Sequence, residues 1–520
     1  PNKCIACGRC VRTCSEILRV SALGFVYRGF RSVVRPSMEK KLLETNCISC
    51  GNCIAACPTG AIAASLPFAK PGPWAADRRE TICHFCSVGC VLHYKVFAPD
   101  AFVVSGTADT AHNKGYLCLK GSFGYRYMLE PDRLRAPLAK GAGGLAETSW
   151  DEALKKAVAG IQDVIRRHGP EAVAVAVSPR LANEEIYQLQ KWVRAGLGSN
   201  QVGSFSRLLN PAPVDALDDL YGLTVSTATM DDLAGADVIL VVNAELTQDN
   251  LVAELKIKEA MKKGARLITV NSSENALSRI ADLWLDPKRG TNTALIAGLA
   301  NALVQEGRLD RKFISAHTTD FAKYQKSIAK WDAKQVAEKC GVGENKFAQA
   351  VELLRGSSRV VAVYGMDQFL ERSRDDLKAL GDLLLQLDQE GRPRNGLILV
   401  YDFANSQGLL DMGADSRYLP GLVRRGQKDV ARLGTLWQAP LEKVFQPVDL
   451  LERLAKGAVK ALLVFGEDPL ASSAGQGLLA GVEFKVACDF FLTATAGTAD
   501  VVLPMSTPLE SEGTYTACDR

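Results

Sequence analysis

The chain has little of what marks a membrane protein or a nucleic-acid-binding one. No apolar run approaches the roughly 18–20 residues needed to cross a bilayer. Stretches such as VILVV at 238–242 and VVLP at 501–504 are short and read as buried strands. Charge is almost balanced, since 62 Lys and Arg against 58 Asp and Glu leave +4 over 520 residues. That balance gives no basis for a nucleic acid or an anionic membrane as partner. Histidine is scarce, with five in the chain. His93, His112, His168 and His317 form no cluster, so surface or packing roles are expected of them. Aromatic residues make up 7 % and methionines number seven; those at helical spacing read as core. There is no repeat of solenoid length and no low-complexity tract.

What is present is an ordinary globular composition, 47 % hydrophobic and 23 % charged. At 520 residues the chain is too long for one core, and three or more units are expected. The exception is cysteine. There are fifteen, and twelve lie between residues 4 and 118. Their spacing is that of thiolate metal ligands, not of a disulfide scaffold. A reducing compartment, the cytoplasm, is therefore expected. Pro1 is not an initiator Met and Arg520 stops the chain in mid-pattern, so segments upstream and downstream are expected too.

The first cysteine motif is CIACGRCVRTC, with Cys4, Cys7, Cys10 and Cys14. The second is CISCGNCIAACP, with Cys47, Cys50, Cys53 and Cys57. Each reads C-x2-C-x2-C-x3-C, a run that gives three thiolates to one cubane and the fourth to the other. Cys4, Cys7, Cys10 and Cys57 are then the ligands of one [4Fe–4S] cluster. Cys47, Cys50, Cys53 and Cys14 are the ligands of a second. Gly8 and Gly51 free the backbone to wrap close to sulfur. Structural zinc or free thiols are the alternatives, and the doubled pattern favours iron–sulfur chemistry. Two departures stand out: Ser15, not Pro, follows Cys14, and the spacer from Cys14 to Cys47 is long.

The third motif is CHFCSVGC followed by GYLCLKG, with Cys83, Cys86, Cys90 and Cys118 in C-x2-C-x3-C-x27-C spacing. A third [4Fe–4S] cluster is expected there, with zinc as the alternative. His84 reads as a packing residue beside four complete ligands. Cys340, Cys488 and Cys518 are isolated and read as buried free thiols.

From about residue 148 the pattern changes. SWDEALKKAVAGIQDVIRRHG at 149–169 predicts a helix capped by Ser149 or Asp151 and stopped by Gly169. AVAVAV at 172–177, ADVILVVNAE at 236–245, GARLITVNS at 264–272, VVAVYG at 360–365, LILVYD at 397–402, ALLVFG at 461–466 and FKVACD at 484–489 predict strands, with helices between. Continuously apolar strands alternating with helices predict doubly wound parallel α/β architecture, in two such units. Residues 68–80, which with Pro67 hold three prolines in a short stretch, read as a linker.

These motifs resemble the molybdopterin oxidoreductase family, including the formate dehydrogenases and the large iron–sulfur subunit of NADH-quinone oxidoreductase. The third motif with its trailing KGSFGYRY carries the likeness, as do SWDEAL, GTNTALIAGLANAL, NSQGLLDMGA, GEDPL and TATAGTADVVLPMSTPLESEGTY. The resemblance implies an α/β fold in four parts. Residues 1–67 would be a two-cluster ferredoxin-like domain, 68–80 a linker and 81–138 a third [4Fe–4S] domain. Residues 139–520 would be a formate-dehydrogenase-like body of two interleaved subdomains, without the family's C-terminal barrel. In the family a Lys two places after the last Cys bridges cluster and pterin, and Lys120 matches it.

The departures fall on the metal-pterin site. SFSRLLNPAP at 204–213 has Leu208, Leu209 and Asn210 where the family places a metal-binding Cys or selenocysteine and an adjacent His. No cysteine occurs between Cys118 and Cys340. Asn271, Ser272 and Ser273 replace an Asp-Pro-Arg, and Asn292 replaces the Asp of Gly-Thr-Asp. This joint loss implies a body without molybdopterin guanine dinucleotide. The resemblance then implies an electron-transfer subunit of an NAD(P)H-linked multi-subunit oxidoreductase, such as a transhydrogenase, a bifurcating complex or a hydrogenase-type complex. Its partners would be a flavin- and NAD(P)-binding subunit, a small [2Fe–2S] subunit and ferredoxin, with further clusters upstream of Pro1. The alternative is an active molybdenum or tungsten formate dehydrogenase or oxotransferase with Ser204 or Ser206 as metal ligand.

Overall fold

The computed structural model describes residues 3–64, 76–98, 101–106, 112–208, 212–366, 373–473 and 475–520. Leu209 and Asn210, and residues 68–75 of the expected linker, lie outside these described residues. Two compact units divide the chain. One takes residues 1–125, 212–402 and 518–520; the other takes 126–211 and 403–517.

In the first unit the cysteine-rich segment is built of short pieces. Helix Arg9–Arg12 runs into a π turn at Thr13–Ile17, and helix Asn52–Ala55 is its counterpart. Each helix is entered through a left-handed glycine, Gly8 at φ 71° and Gly51 at φ 78°. At Gly51 a side chain is excluded twice over, because a Cβ would also lie 2.8 Å from the Phe123 ring. An antiparallel hairpin joins Gly24–Val26 to Val33–Arg35. The core of this segment holds Cys10, Cys14, Leu18, Val20, Leu23 and Cys50 together with Leu251.

Asp77–Ile82, Val91–Ala98 and Ala101–Gly106 form a three-stranded antiparallel sheet. Residues 77–80 thus open a strand, although the sequence reads them as the end of a linker. The prolines end at Pro73, and nothing in DRRE resists pairing. Glu80 faces His93 across the ladder at 2.8 Å.

A five-stranded parallel sheet completes this unit. Its order is Leu283–Leu285, Arg266–Val270, Val238–Val242, Val360–Gly365, Gly396–Val400. The chain leaves the adjacent strands Val238–Val242 and Val360–Gly365 in opposite directions. Their carboxyl ends are where such a sheet opens a crevice. Helix Leu251–Lys262 follows and lays Leu251 and Leu255 on the cysteine-rich core.

The second unit holds a seven-stranded sheet. Its order is Gly144–Glu147, Leu138–Gly141, Val501–Pro504, Phe484–Asp489, Ala461–Phe465, Val173–Val177, Val202–Gly203. Five strands are parallel, and the first two form an antiparallel edge hairpin. Helix Trp150–His168 packs Ala153, Ala157, Ile161 and Val164 on this sheet. Its Ser149 hydroxyl accepts from the Glu152 amide, and Gly169 ends it at φ 81°. The hairpin at 138–147 is an element the sequence reading missed. Among the described residues no helix is long and apolar enough to cross a membrane.

Candidate functional site

The structure sorts the twelve clustered cysteines into three groups, all in the first unit. Cys4, Cys7, Cys10 and Cys57 line one cavity of about 260 Å³. Cys4 and Cys7 are exposed. Burial pushes the Cys10 thiol up, and the neighbouring Cys57 and Cys7 push the same way. At Cys57 burial opposes ionisation, but the amides of Ile62, Thr59 and Ala61 and the Thr59 hydroxyl outweigh it and bring the thiol down to about 7. The Ala61 amide lies 3.2 Å from Cys57 Sγ.

Cys14 sits with the second loop. Burial, then Cys50, Cys14 and Cys47, push the Cys53 thiol up to about 12. Burial also raises Cys50, which feels Cys47 and Cys14. The Ala22 amide donates to Cys14 Sγ at 3.3 Å and the Ser49 amide to Cys47 Sγ at 3.4 Å. The two loops share a backbone plan, with Ala6 at φ 54° matching Ser49 at φ 53°, each followed two residues on by the left-handed glycine.

The third group is the most enclosed. Cys83, Cys86 and Cys90 are buried and Cys118 is half-buried. Burial pushes Cys83, Cys86 and Cys90 up, Cys86 to about 12, and the other thiols of the group add to it. Lys120 opposes the shift at Cys83 and Cys86. The Lys120 ammonium pairs with Asp249 at 3.3 Å. Ser87, between Cys86 and Cys90, is wholly buried. Its hydroxyl accepts from the Tyr401 amide at 2.8 Å and its carbonyl from the Cys518 amide at 2.8 Å. So Cys518 is buried beside this loop. Cys340 and Cys488 are buried far from the three groups in sequence.

The second and third groups are tied together. Asn52, next to Cys53, is 4 % exposed. Its Nδ2 donates to the Leu117 carbonyl at 2.8 Å, and its Oδ1 accepts from the Leu117 amide at 3.1 Å. Leu117 precedes Cys118. The Ser122 hydroxyl donates to the Cys50 carbonyl at 2.8 Å. Sequence reasoning missed these ties, because each joins two motifs 65 or more residues apart.

A cubane wants four thiolates and amide hydrogens turned toward sulfur. Each group offers four cysteines and at least one such amide, Gly121 donating to Cys118 Sγ at 3.3 Å in the third. Among the described residues no three His, Cys, Asp or Glu side chains gather closely enough for a single ion. Four thiols with amides turned toward sulfur are the donor set that a cubane takes.

The family's metal-pterin positions are described unit by unit. In the second unit, Ser204 donates to Glu467 Oε1 at 2.5 Å. The Phe205 and Ser206 amides donate to the same carboxylate at 2.9 and 3.4 Å. The two serine hydroxyls lie 2.8 Å apart. Burial pushes Glu467 up to about 7, against these hydrogen bonds. Both hydroxyls that could take a metal are thus engaged, and Glu467 holds the start of the short helix Phe205–Leu208. In the first unit, Asn292 Nδ2 donates to Asn243 Oδ1 at 2.8 Å and to Asp376 Oδ2 at 3.3 Å, and Thr293 also donates to Asp376. Burial raises the Asp376 carboxyl, and the Thr293, Asn243 and Asn292 side chains oppose it. Asn292 Oδ1 and Asn271 Nδ2 are buried without a hydrogen-bond partner. The donor set therefore does not fit a metal at 204–206, while the sheet end keeps two polar atoms that a ligand or water would satisfy.

Three comparisons bear on these sites. The molybdopterin oxidoreductase model matches residues 133–520, the 4Fe-4S dicluster domain model residues 3–61, and the molybdopterin oxidoreductase Fe4S4 domain model residues 77–130. The chain is 32 % identical, over its whole length and 61 % of the relative, to the NADPH-Fe(3+) oxidoreductase subunit alpha of Geobacter sulfurreducens. It is 28 % identical, over 85 % of its length and 64 % of the relative, to formate dehydrogenase H of Escherichia coli. It therefore spans less than two thirds of these relatives. The solved acetylene hydratase of Pelobacter acetylenicus shares the fold, with a TM-score of 0.67 and 20 % identity over 82 % of this chain and 63 % of that one.

Proposed function

This chain belongs to the molybdopterin oxidoreductase family, and from that premise we propose that it works as the electron-transfer subunit of an NAD(P)H-linked multi-subunit oxidoreductase. On this reading it holds three [4Fe–4S] clusters and no molybdenum or tungsten. Cys4, Cys7, Cys10 and Cys57 hold the first, Cys14, Cys47, Cys50 and Cys53 the second, and Cys83, Cys86, Cys90 and Cys118 the third. Bound there, the clusters supply one-electron transfer; the protein sets their potentials through burial, charge and amide hydrogen bonds to sulfur. Lys120 lowers the cost of negative charge at the third group, and Asp249 fixes where Lys120 sits. The division into 1–67, 68–80, 81–138 and 139–520 belongs to the same reading.

The observation that carries the relay is the Asn52–Leu117 tie. It fixes the second group against the third with two hydrogen bonds beside one ligand of each. Isolated structural clusters would not require it. The Geobacter relative is named as a subunit that works with NADPH. That supports partner subunits and a link to NADPH; a flavin- and NAD(P)-binding subunit, a small [2Fe–2S] subunit and a cytoplasmic location belong to the same proposal. The case against a metal-pterin centre rests on residues 204–206, where Glu467 takes the Ser204 hydroxyl and the Ser206 hydroxyl pairs with that of Ser204. The test is freeze-quench electron paramagnetic resonance on the purified complex during reduction by NADH or NADPH. The relay predicts that Asn52→Ala slows equilibration between the second and third clusters while iron content holds. Unchanged equilibration in that variant would refute it.

A further inference from the structure

The net charge of the chain hides a strong local surplus. Residues 1–45 hold nine Lys and Arg against three Glu, a surplus of six. The whole chain is +4, so the other 475 residues are net negative by two. Eight of the nine cations are exposed. Large apolar side chains share the segment: Phe30, Met38 and Leu43 are at least 87 % exposed, and Ile5, Phe25 and Tyr27 are exposed as well. These six large apolar side chains, exposed within 43 residues and among eight exposed cations, are an unusual density of the groups that interaction sites use.

The hairpin brings part of this segment to the first cysteine group. Ser32, Val33, Val34 and Arg35, on its second strand, line the same cavity as Cys4, Cys7, Cys10 and Cys57. The Phe25 ring, on its first strand, lies over Gly8, where a Cβ would meet it at 3.3 Å. The same point is 3.7 Å from the Arg12 guanidinium. The tip between the strands carries Arg28, Phe30 and Arg31 into solvent. Of the twelve clustered cysteines, Cys4 and Cys7 alone are exposed.

We propose that this hairpin and the Cys4–Cys10 loop form the docking surface for an acidic one-electron carrier protein. The proposal rests on the reading that the first cysteine group holds a cluster. One electron passes between carrier and cluster, one partner being oxidised as the other is reduced, with no bond made or broken. The basic surplus, with Arg28 and Arg31 at the tip, steers an acidic surface into place, and the exposed Phe30 excludes water at contact. A second copy of this chain is a poor occupant, because like charges would face each other.

The experiment uses the purified complex and two probes, an acidic plant-type [2Fe–2S] ferredoxin and a basic cytochrome c. Stopped-flow mixing with each probe gives the second-order rate of electron exchange. The ferredoxin rate is expected to fall with ionic strength, and to fall about tenfold at low salt in the Arg28→Glu/Arg31→Glu variant. Phe30→Ser is expected to lower it as well, with iron content and the resonance signals of the clusters unchanged. Ferredoxin rates that ignore salt and both variants, in protein with intact clusters, would overturn the docking surface alone. So would protection of the hairpin tip from surface labelling in the resting complex. Loss of the docking effect together with absence of a first-group cluster in the unaltered complex would overturn the cluster reading with it.

Discussion

Glu467 shows how much one residue settles here. Its carboxylate takes the Ser204 hydroxyl and the first two amides of helix Phe205–Leu208, so that hydroxyl is already engaged. Burial also gives it a titration that stability measurements can see. Its folded value of about 7 lies above the ordinary 4.5. A folded carboxyl that keeps its proton longer loses stability relative to the unfolded chain as pH rises from 4.5 to about 7. Glu467→Gln removes that slope. Thermal unfolding should therefore favour the variant increasingly toward neutral pH, by about 1–3 kcal/mol. Parallel pH profiles would show that the carboxylate is not buried as described. Glu467 lies in the GEDPL segment that carries part of the family likeness, but nothing in that segment points to Ser204, 263 residues away. The cysteines are different: a cluster takes ligands from short loops, so their spacing is local and readable. Asn52 and Asp249 act across 65 and 129 residues of chain and leave no such mark.

At the scale of elements, helix Leu251–Lys262 anchors the cysteine-rich segment. Lys258 and Glu254 form a buried pair at 2.5 Å, 5 % and 0 % exposed. Lys258 also donates to the Leu18 carbonyl, and Lys262 to that of Glu16, just past Cys14. Removing only the cation leaves a buried anion. Lys258→Met should cost about 3–5 kcal/mol and loosen the second cysteine group, seen as faster cluster loss on dilution. The double change Lys258→Met/Glu254→Gln should recover most of that cost, and failure to recover would mean that the Leu18 contact dominates. Elements with long periodic patterns were legible. The helix read at 149–169 is Trp150–His168, and each apolar run named as a strand is one. The edge hairpin at 138–147 was not, because LAKGAGGLAE is short, weakly alternating and held by pairing with Val501 and Val502 far along the chain.

The whole molecule combines a family body with three cysteine groups in one unit. Doubly wound sheets could be read from apolar runs because both faces of each sheet are covered. Interleaving was an expectation from the family resemblance, but the crossing points at 125–126, 211–212, 402–403 and 517–518 leave no mark in the apolar runs. The central claim is that this body conducts electrons without a metal-pterin centre. The direct measurement is elemental analysis of the purified complex for iron, molybdenum and tungsten per copy of this chain. The account predicts at least about twelve irons from three cubanes, and neither heavy metal. Stoichiometric molybdenum or tungsten on this chain would contradict it.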